Sequence, residues 1–264
     1  YAFAASYLLI DLGRPWRIYY PMAIGFGTAS VLFLVAWHVA TYLTVQFLEF
    51  SPAILEWLES RRIRKWAKMI TIGMTIAGII LSTLHQSALG AMFLLTPGKL
   101  HPLWYSTYLP ILFLSSSIYA AIAMVIAVST LISRFLKKSA DANFLGGLDK
   151  LTVGLGQGAC VGMFVYFVLK IISVAHDSNW GYLNTPYGYL FLIELIGFVL
   201  LPAMVLTYGV KTGSASAVRF GAFFAVAGVI FNRINVSITA FNWELPNHLH
   251  HIIPPWKEAA VVMS

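Results

Sequence analysis

The chain has 264 residues, of which 59% are hydrophobic and only 10% charged, and its mean hydropathy is +0.78. A soluble globular domain of this size needs no such composition, so the chain reads as a polytopic membrane protein. The net charge of +7 comes without interleaved basic and aromatic residues, which argues against nucleic-acid binding, and Cys160 alone excludes an intrachain disulfide or a thiolate cage for zinc or an iron–sulfur cluster.

A spanning helix needs about 20 residues for a hydrocarbon core of about 30 Å. Residues 1–10 read as the tail of one span. Further spans are predicted near 21–50, 66–95, 107–133, 150–175, 187–210 and 217–241, with a last one starting near 256. The expected fold is all-α: a transmembrane helix bundle forming one integral membrane domain over 1–264, with six complete spans and two partial ones. Tyr1 opens directly in apolar sequence with no signal peptide, and PPWKEAAVVMS (254–264) ends in what reads as the first turns of a helix. Helices are therefore expected to be missing at both ends. The Gly- and Ser-containing stretch SADANFLGGLD (139–149) is predicted to be a linker between two helix groups.

Alternate loops carry most of the Lys and Arg: Arg61, Arg62, Arg64, Lys65 and Lys68, then Arg134, Lys137, Lys138 and Lys150, then Lys211 and Arg219. By the positive-inside rule these loops are cytoplasmic, and the aromatic loops near 12–20, 96–106, 176–186 and 242–255 face outward. The expected location is the cytoplasmic (inner) membrane, crossed several times.

The first candidate for chemistry is 83–105, TLHQSALGAMFLLTPGKLHPLWY, where His85 and Gln86 interrupt a membrane-length apolar run. Polar groups in hydrocarbon are costly, so the pair needs a ligand, a partner or water. Gly78, Ser82, Gln86 and Gly90 recur every four residues along one helix stripe, which suits either close helix packing or a flat ring. His38 lies near the middle of its span. With His85 it fits three readings: a quinone-carbonyl partner, a pair of haem ligands, or separately hydrogen-bonded core histidines.

In IDLGRPWRIYYP (10–21), Asp11 sits at the membrane edge, while Arg14 and Arg17 break the positive-inside trend. They read either as functional charges or as an Asp–Arg pair closing a turn. Deeper in the second half stand Lys170, Glu194, and Asn232–Arg233 with Asn235. A Glu194–Arg233 or Glu194–Lys170 pair would neutralise charge, serving as a helix lock or as part of a proton relay. Glu49, close to a cytoplasmic end, fits a solvated carboxylate or a relay residue.

The motifs DLGRPWR (11–17), YLTVQFLEF (42–50), LHQSALG (84–90), GKLHPLWYS (98–106) and NRINVS (232–237) together span most of the chain. Through them the chain resembles the NrfD, or polysulfide-reductase, membrane subunits, and within that family the hydrogenase HybB-like branch. The resemblance implies a haem-free, all-helical, quinone-reactive subunit of an anaerobic respiratory oxidoreductase complex, with no complete active site of its own. The quinone would be menaquinone or ubiquinone. Electrons would pass to or from a ferredoxin-like iron–sulfur subunit on the outer face, with further subunits beyond it and no iron–sulfur cluster in this chain.

Carried over to this sequence, the resemblance points to His85 as the central quinone-site residue, with Gln86 alongside and Asp11 and Arg14 near the outer mouth. His101 and Trp104 would lie in the partner-facing loop. The hydrogenase-type relatives carry an acidic residue in the outer half of the helix corresponding to 21–50, where this chain has apolar residues including Leu34. His38, one turn deeper, is the candidate substitute, and Glu49, Glu194, Lys170 and Arg233 are the candidates for proton translocation. Two rivals stand beside this reading: a haem-b subunit using His38 and His85, and a transporter or structural anchor. Against the transporter, Pro202 is the only proline clearly inside a span.

Overall fold

The computed structural model describes residues 14–55 except 18, 26, 28 and 29, together with 61–135, 142–241 and 243–245. Six helices among them are long and apolar enough to cross a membrane: α1 (Val31–Leu55), α2 (Arg61–Phe93), α3 (Leu109–Phe135), α4 (Ala142–His176), α5 (Pro186–Thr212) and α6 (Ala215–Ile234). The described chain is thus all-α, and its one β-bridge joins Leu100 to Phe241. The two partial spans expected at 1–10 and from 256 lie outside the described residues.

The boundaries differ from expectation in two places. The first complete span starts at Val31 rather than 21, because the chain makes only one short helix at Tyr20–Ala23 before Gly25 and Gly27 interrupt it. The predicted linker is helical from Ala142 on, so Gly146 and Gly147 lie inside α4. Each glycine costs about 1 kcal/mol in a helix, and burial of Leu148 beside them offsets part of that.

The chain divides into two compact units, 1–92 and 93–264. In the first, α1 and α2 keep large apolar side chains exposed, among them Phe47, Phe50, Ile72 and Ile76, as helices in hydrocarbon do. The two helices meet where Gly78 lets Glu49 and Val45 approach: a Cβ at 78 would lie 3.4 Å from Glu49 Oε2 and 3.8 Å from Val45 Cγ1. The lower part of the small-residue stripe therefore serves helix packing.

The second unit is the four-helix body α3–α6. Its core repeats at i, i+4 and i+7: Ala159, Met163 and Tyr166 on α4, Val199, Ala203 and Leu206 on α5, Val218, Ala222 and Ala225 on α6. Small residues in each set allow the close approach on which helix association in lipid depends. Thr185 caps α5, its Oγ1 accepting from Gly188 N–H, with Pro186 at the first helical position. Gly213, at φ 67°, ends α5, and Ser214 caps α6 directly after it.

Pro202 does not break α5. The helix widens into a π-helix over Ile193–Leu200, and its last turn closes with Leu201 N–H bonded to Ile196 O. Proline lacks the N–H that Phe198 O would accept, and that freed carbonyl meets α6 at a glycine. A Cβ on Gly228 would lie 2.6 Å from Phe198 O. Gly228→Ala is thus expected to destabilise the protein although alanine is the better helix former. The gain in propensity is about 1 kcal/mol, whereas a clash with immobile backbone costs about 1–3 kcal/mol. A lowered unfolding midpoint of the detergent-solubilised variant is the expected reading, and an unchanged midpoint would mean the helices slide apart at no cost.

Candidate functional site

In the first unit α1 presents His38 and α2 presents His85. His38 Nδ1 donates to Leu34 O at 2.7 Å, so that nitrogen is satisfied within its own helix. His85 differs: its Nδ1 is buried and has no hydrogen-bond partner. Ser82, one turn earlier on the small-residue stripe, donates back to Ile79 O at 2.9 Å. Nearer the basic end, Glu49 is bound rather than simply solvated, with Thr75 Oγ1 donating to its Oε1 at 3.0 Å. Of the turn at 10–21, Asp11 lies outside the described residues, and Arg14 is exposed just before a 3-10 turn at Pro15–Arg17.

The second unit holds a buried polar network that sequence reasoning only partly anticipated. Glu194 is 2% exposed, and three neutral N–H groups converge on its carboxylate. Asn232 Nδ2 donates to Oε1 at 2.6 Å, while Asn235 Nδ2 and Trp104 Nε1 donate to Oε2 at 2.7 and 3.0 Å. Arg233 reaches the network indirectly: NH1 donates to Asn232 Oδ1 at 2.9 Å and NH2 to Ser116 Oγ at 2.8 Å, with the guanidinium 3.8 Å from the centroid of Phe113. Lys170 is also buried, its Nζ 5.2 Å from the centre of the Phe191 ring. Neither direct pair considered above, Glu194–Arg233 or Glu194–Lys170, is among the ion pairs of the described residues. Asn232 stands between the opposite charges and bonds to both.

Local geometry explains the convergence. Asn232 and Asn235 are three residues apart on one helix face. A π-helix begins at Asn235, as another begins at Ile193 beside Glu194. Such widened turns favour side-chain placements a regular helix does not allow, and they recur at functional sites.

Trp104 ties this network to the loops at the aromatic end of the unit. It is 0% exposed, edge-on to Phe191 and to His101, and His101 itself is 1% exposed. His101 and Trp104, expected in the partner-facing loop, are interior supports of that loop. The His101 ring stacks on Tyr187 at 4.7 Å and meets Tyr182 and Trp243 edge-on. Its backbone N–H donates to Ala240 O, Asn179 Nδ2 donates to Pro102 O, and Trp243 Nε1 donates to Gly98 O. Three loops are laced together in this way, leaving Lys99, Trp180 and Tyr182 among the exposed residues of that end.

His101 Nδ1 accepts from Leu103 N–H at 3.2 Å, which needs the neutral ring, and burial holds its pKa down at about 4 from 6.5. Between those values the unfolded chain binds a proton that the folded chain does not. Stability from this group is therefore complete above pH 6.5 and is lost as pH falls toward 4, at up to about 1.4 kcal/mol per unit. Unfolding midpoints measured from pH 7 to 4.5 should fall more steeply for the native protein than for His101→Asn, which keeps an acceptor at the δ position but does not titrate. Equal slopes would show that another group carries the pH dependence.

The family described as polysulphide reductase, NrfD, matches residues 2–243. The chain is 44% identical over 261 residues to a protein of Nitratidesulfovibrio vulgaris, covering 99% of this chain and 67% of that one. It is 26% identical over 265 residues to the "Probable Ni/Fe-hydrogenase 2 b-type cytochrome subunit" of Escherichia coli, covering 99% of this chain and 65% of that one. The chain thus spans about two thirds of each relative's length. No solved structure matches it.

Proposed function

The chain belongs to the polysulphide reductase NrfD family of membrane subunits, and from that premise we propose that it is the quinone-reactive subunit of a respiratory oxidoreductase complex. It would exchange electrons with an iron–sulfur subunit on the outer face. The observation that carries this reading is the buried, unpartnered Nδ1 of His85 inside a membrane-length apolar helix. A polar nitrogen left without a partner in hydrocarbon costs free energy, so its retention calls for a ligand that supplies the missing hydrogen bond. A quinone ring oxygen is such a group and fits an otherwise apolar surrounding. When bound, the quinone would supply two-electron, two-proton redox chemistry.

In this reading His85 and Gln86 hold the ring. His38 would lie on the neighbouring helix of the same unit, and Asp11 and Arg14 would guard the outer mouth. His85 can also take or give the proton that accompanies reduction or oxidation, since a positioned imidazole serves as general acid or base. Proton translocation would use the membrane-embedded charges Glu49, Glu194, Lys170 and Arg233. The partner would meet the laced loops, which His101 and Trp104 stiffen from beneath.

Photo-crosslinking of the intact, solubilised complex with an azidoquinone, followed by peptide mapping and competition with native quinone, tests the proposal. Competable label within 78–95 or 11–17 is the expected result. Label absent from this subunit while quinone-linked turnover persists would move the quinone site elsewhere.

A further inference from the structure

Along α5 runs a groove of about 480 Å³ lined by Ile196, Leu200, Leu201, Met204, Val205 and Tyr208. Its lining side chains are hydrocarbon apart from the Met204 sulfur and the Tyr208 hydroxyl, and Met204 and Tyr208 are 61% and 64% exposed, so the groove opens outward within the membrane span. Twelve residues separate its ends, roughly 18 Å at helical rise. Seven residues after Met204 and three after Tyr208 stands Lys211, which helical periodicity puts on the same stripe, at the groove's basic end. Lys211 is exposed, and neither ion pair of the described residues includes it. At the same end Arg219 pairs with Asp149 yet keeps a buried Nε without a partner, and Lys150 is exposed nearby in sequence. This end of the four-helix unit therefore carries an excess of positive charge.

We infer that the groove and Lys211 form a binding site for one anionic phospholipid, with the headgroup phosphate at Lys211 and an acyl chain along Met204 and Leu201. Two features favour a lipid over a neighbouring helix. Helix association in lipid relies on small residues that let backbones approach, whereas this rim is built of Met, Leu and Tyr side chains, which conform to a flexible chain. An anionic headgroup suits the cationic end, whereas a zwitterionic one brings its own positive charge there.

The test is native mass spectrometry of the intact, detergent-solubilised complex titrated with phosphatidylglycerol, with phosphatidylcholine, and with inorganic phosphate as competitor. The native protein should prefer phosphatidylglycerol by about five-fold, the effect of one lysine at a membrane surface. Lys211→Gln should abolish that preference while leaving phosphatidylcholine binding unchanged. Met204→Trp, which fills the groove, should weaken both lipids and keep the preference. Both substitutions are on exposed residues, so folding is preserved. Equal binding of the two lipids by native protein, or displacement of phosphatidylglycerol by millimolar inorganic phosphate, would overturn the site. So would a photo-reactive residue at Tyr208 that captures a protein helix rather than lipid in native membranes.

Discussion

Replacing Glu194 by glutamine is expected to lower the stability of the solubilised protein by about 2 kcal/mol, although the two side chains are nearly identical in shape. The carboxylate accepts three N–H bonds, one at Oε1 and two at Oε2. A glutamine offers one oxygen and one NH2. With its oxygen at the Oε2 position, Trp104 and Asn235 keep acceptors, but the new NH2 confronts Asn232 Nδ2. Asn232 could flip its amide to accept, yet its oxygen already accepts from Arg233, so the mismatch would pass to a buried cation. Neutral hydrogen bonds between membrane helices average about 0.6 kcal/mol. The bond lost here is charge-assisted and leaves a buried donor unmet, which costs about 1–3 kcal/mol. The second substitution Asn232→Asp supplies an acceptor to the glutamine amide and a carboxylate to Arg233. The double variant should therefore recover more than half of the loss. A Glu194→Gln protein that unfolds within about 0.5 kcal/mol of the native one would show that the network contributes little to stability.

How much of this was legible beforehand follows from what each feature depends on. The spans were readable because bilayer thickness imposes a length on any apolar helix, and six of the expected stretches are helices of that kind. Their ends were less readable: the break at Gly25 and Gly27 and the helical Gly146–Gly147 depend on local packing rather than on mean hydropathy. The placement of Asn232 and Asn235 on one face is a matter of spacing, and it is visible in NRINVS. Their acceptor could only be narrowed to a carboxylate at similar depth. Trp104 escaped notice as a partner of Glu194 because 90 residues separate them. Its place in an aromatic, outward-facing loop suggests a role toward a partner, whereas the indole N–H points inward to a charge. Pro202 reads from the sequence only as a proline inside a span, and the π-helix before it shows how a helix absorbs a proline without breaking.

The polar groups within the spans differ in one respect that bears on function. Glu194, Asn232, Asn235 and Arg233 answer one another's hydrogen bonds, and so do Glu49 and Thr75. Mutually satisfied groups of this kind serve a fold even when they also move protons. His85 Nδ1 stands apart from these groups, because no described residue answers it.

That contrast leads to the largest functional effect we expect. His85→Phe keeps a flat ring of similar size and removes both nitrogens, so a residue retained for structure and one retained for a ligand respond in opposite ways. Removing an unsatisfied buried nitrogen should leave the unfolding midpoint unchanged or raise it, since an unmet polar atom costs about 1–3 kcal/mol. Quinone-linked turnover of the assembled complex should nevertheless fall by about 10²–10⁴-fold, the range associated with losing a positioned proton donor or acceptor. His38→Phe provides the comparison. Its Nδ1 is satisfied by Leu34 O, so that variant should lose a little stability and far less turnover. An absorption spectrum taken alongside separates the haem reading: a haem held by both histidines would give a Soret band lost in either variant, whereas a quinone site gives none. Full quinone-linked turnover in His85→Phe would remove His85 from the mechanism and leave its unanswered nitrogen without a function.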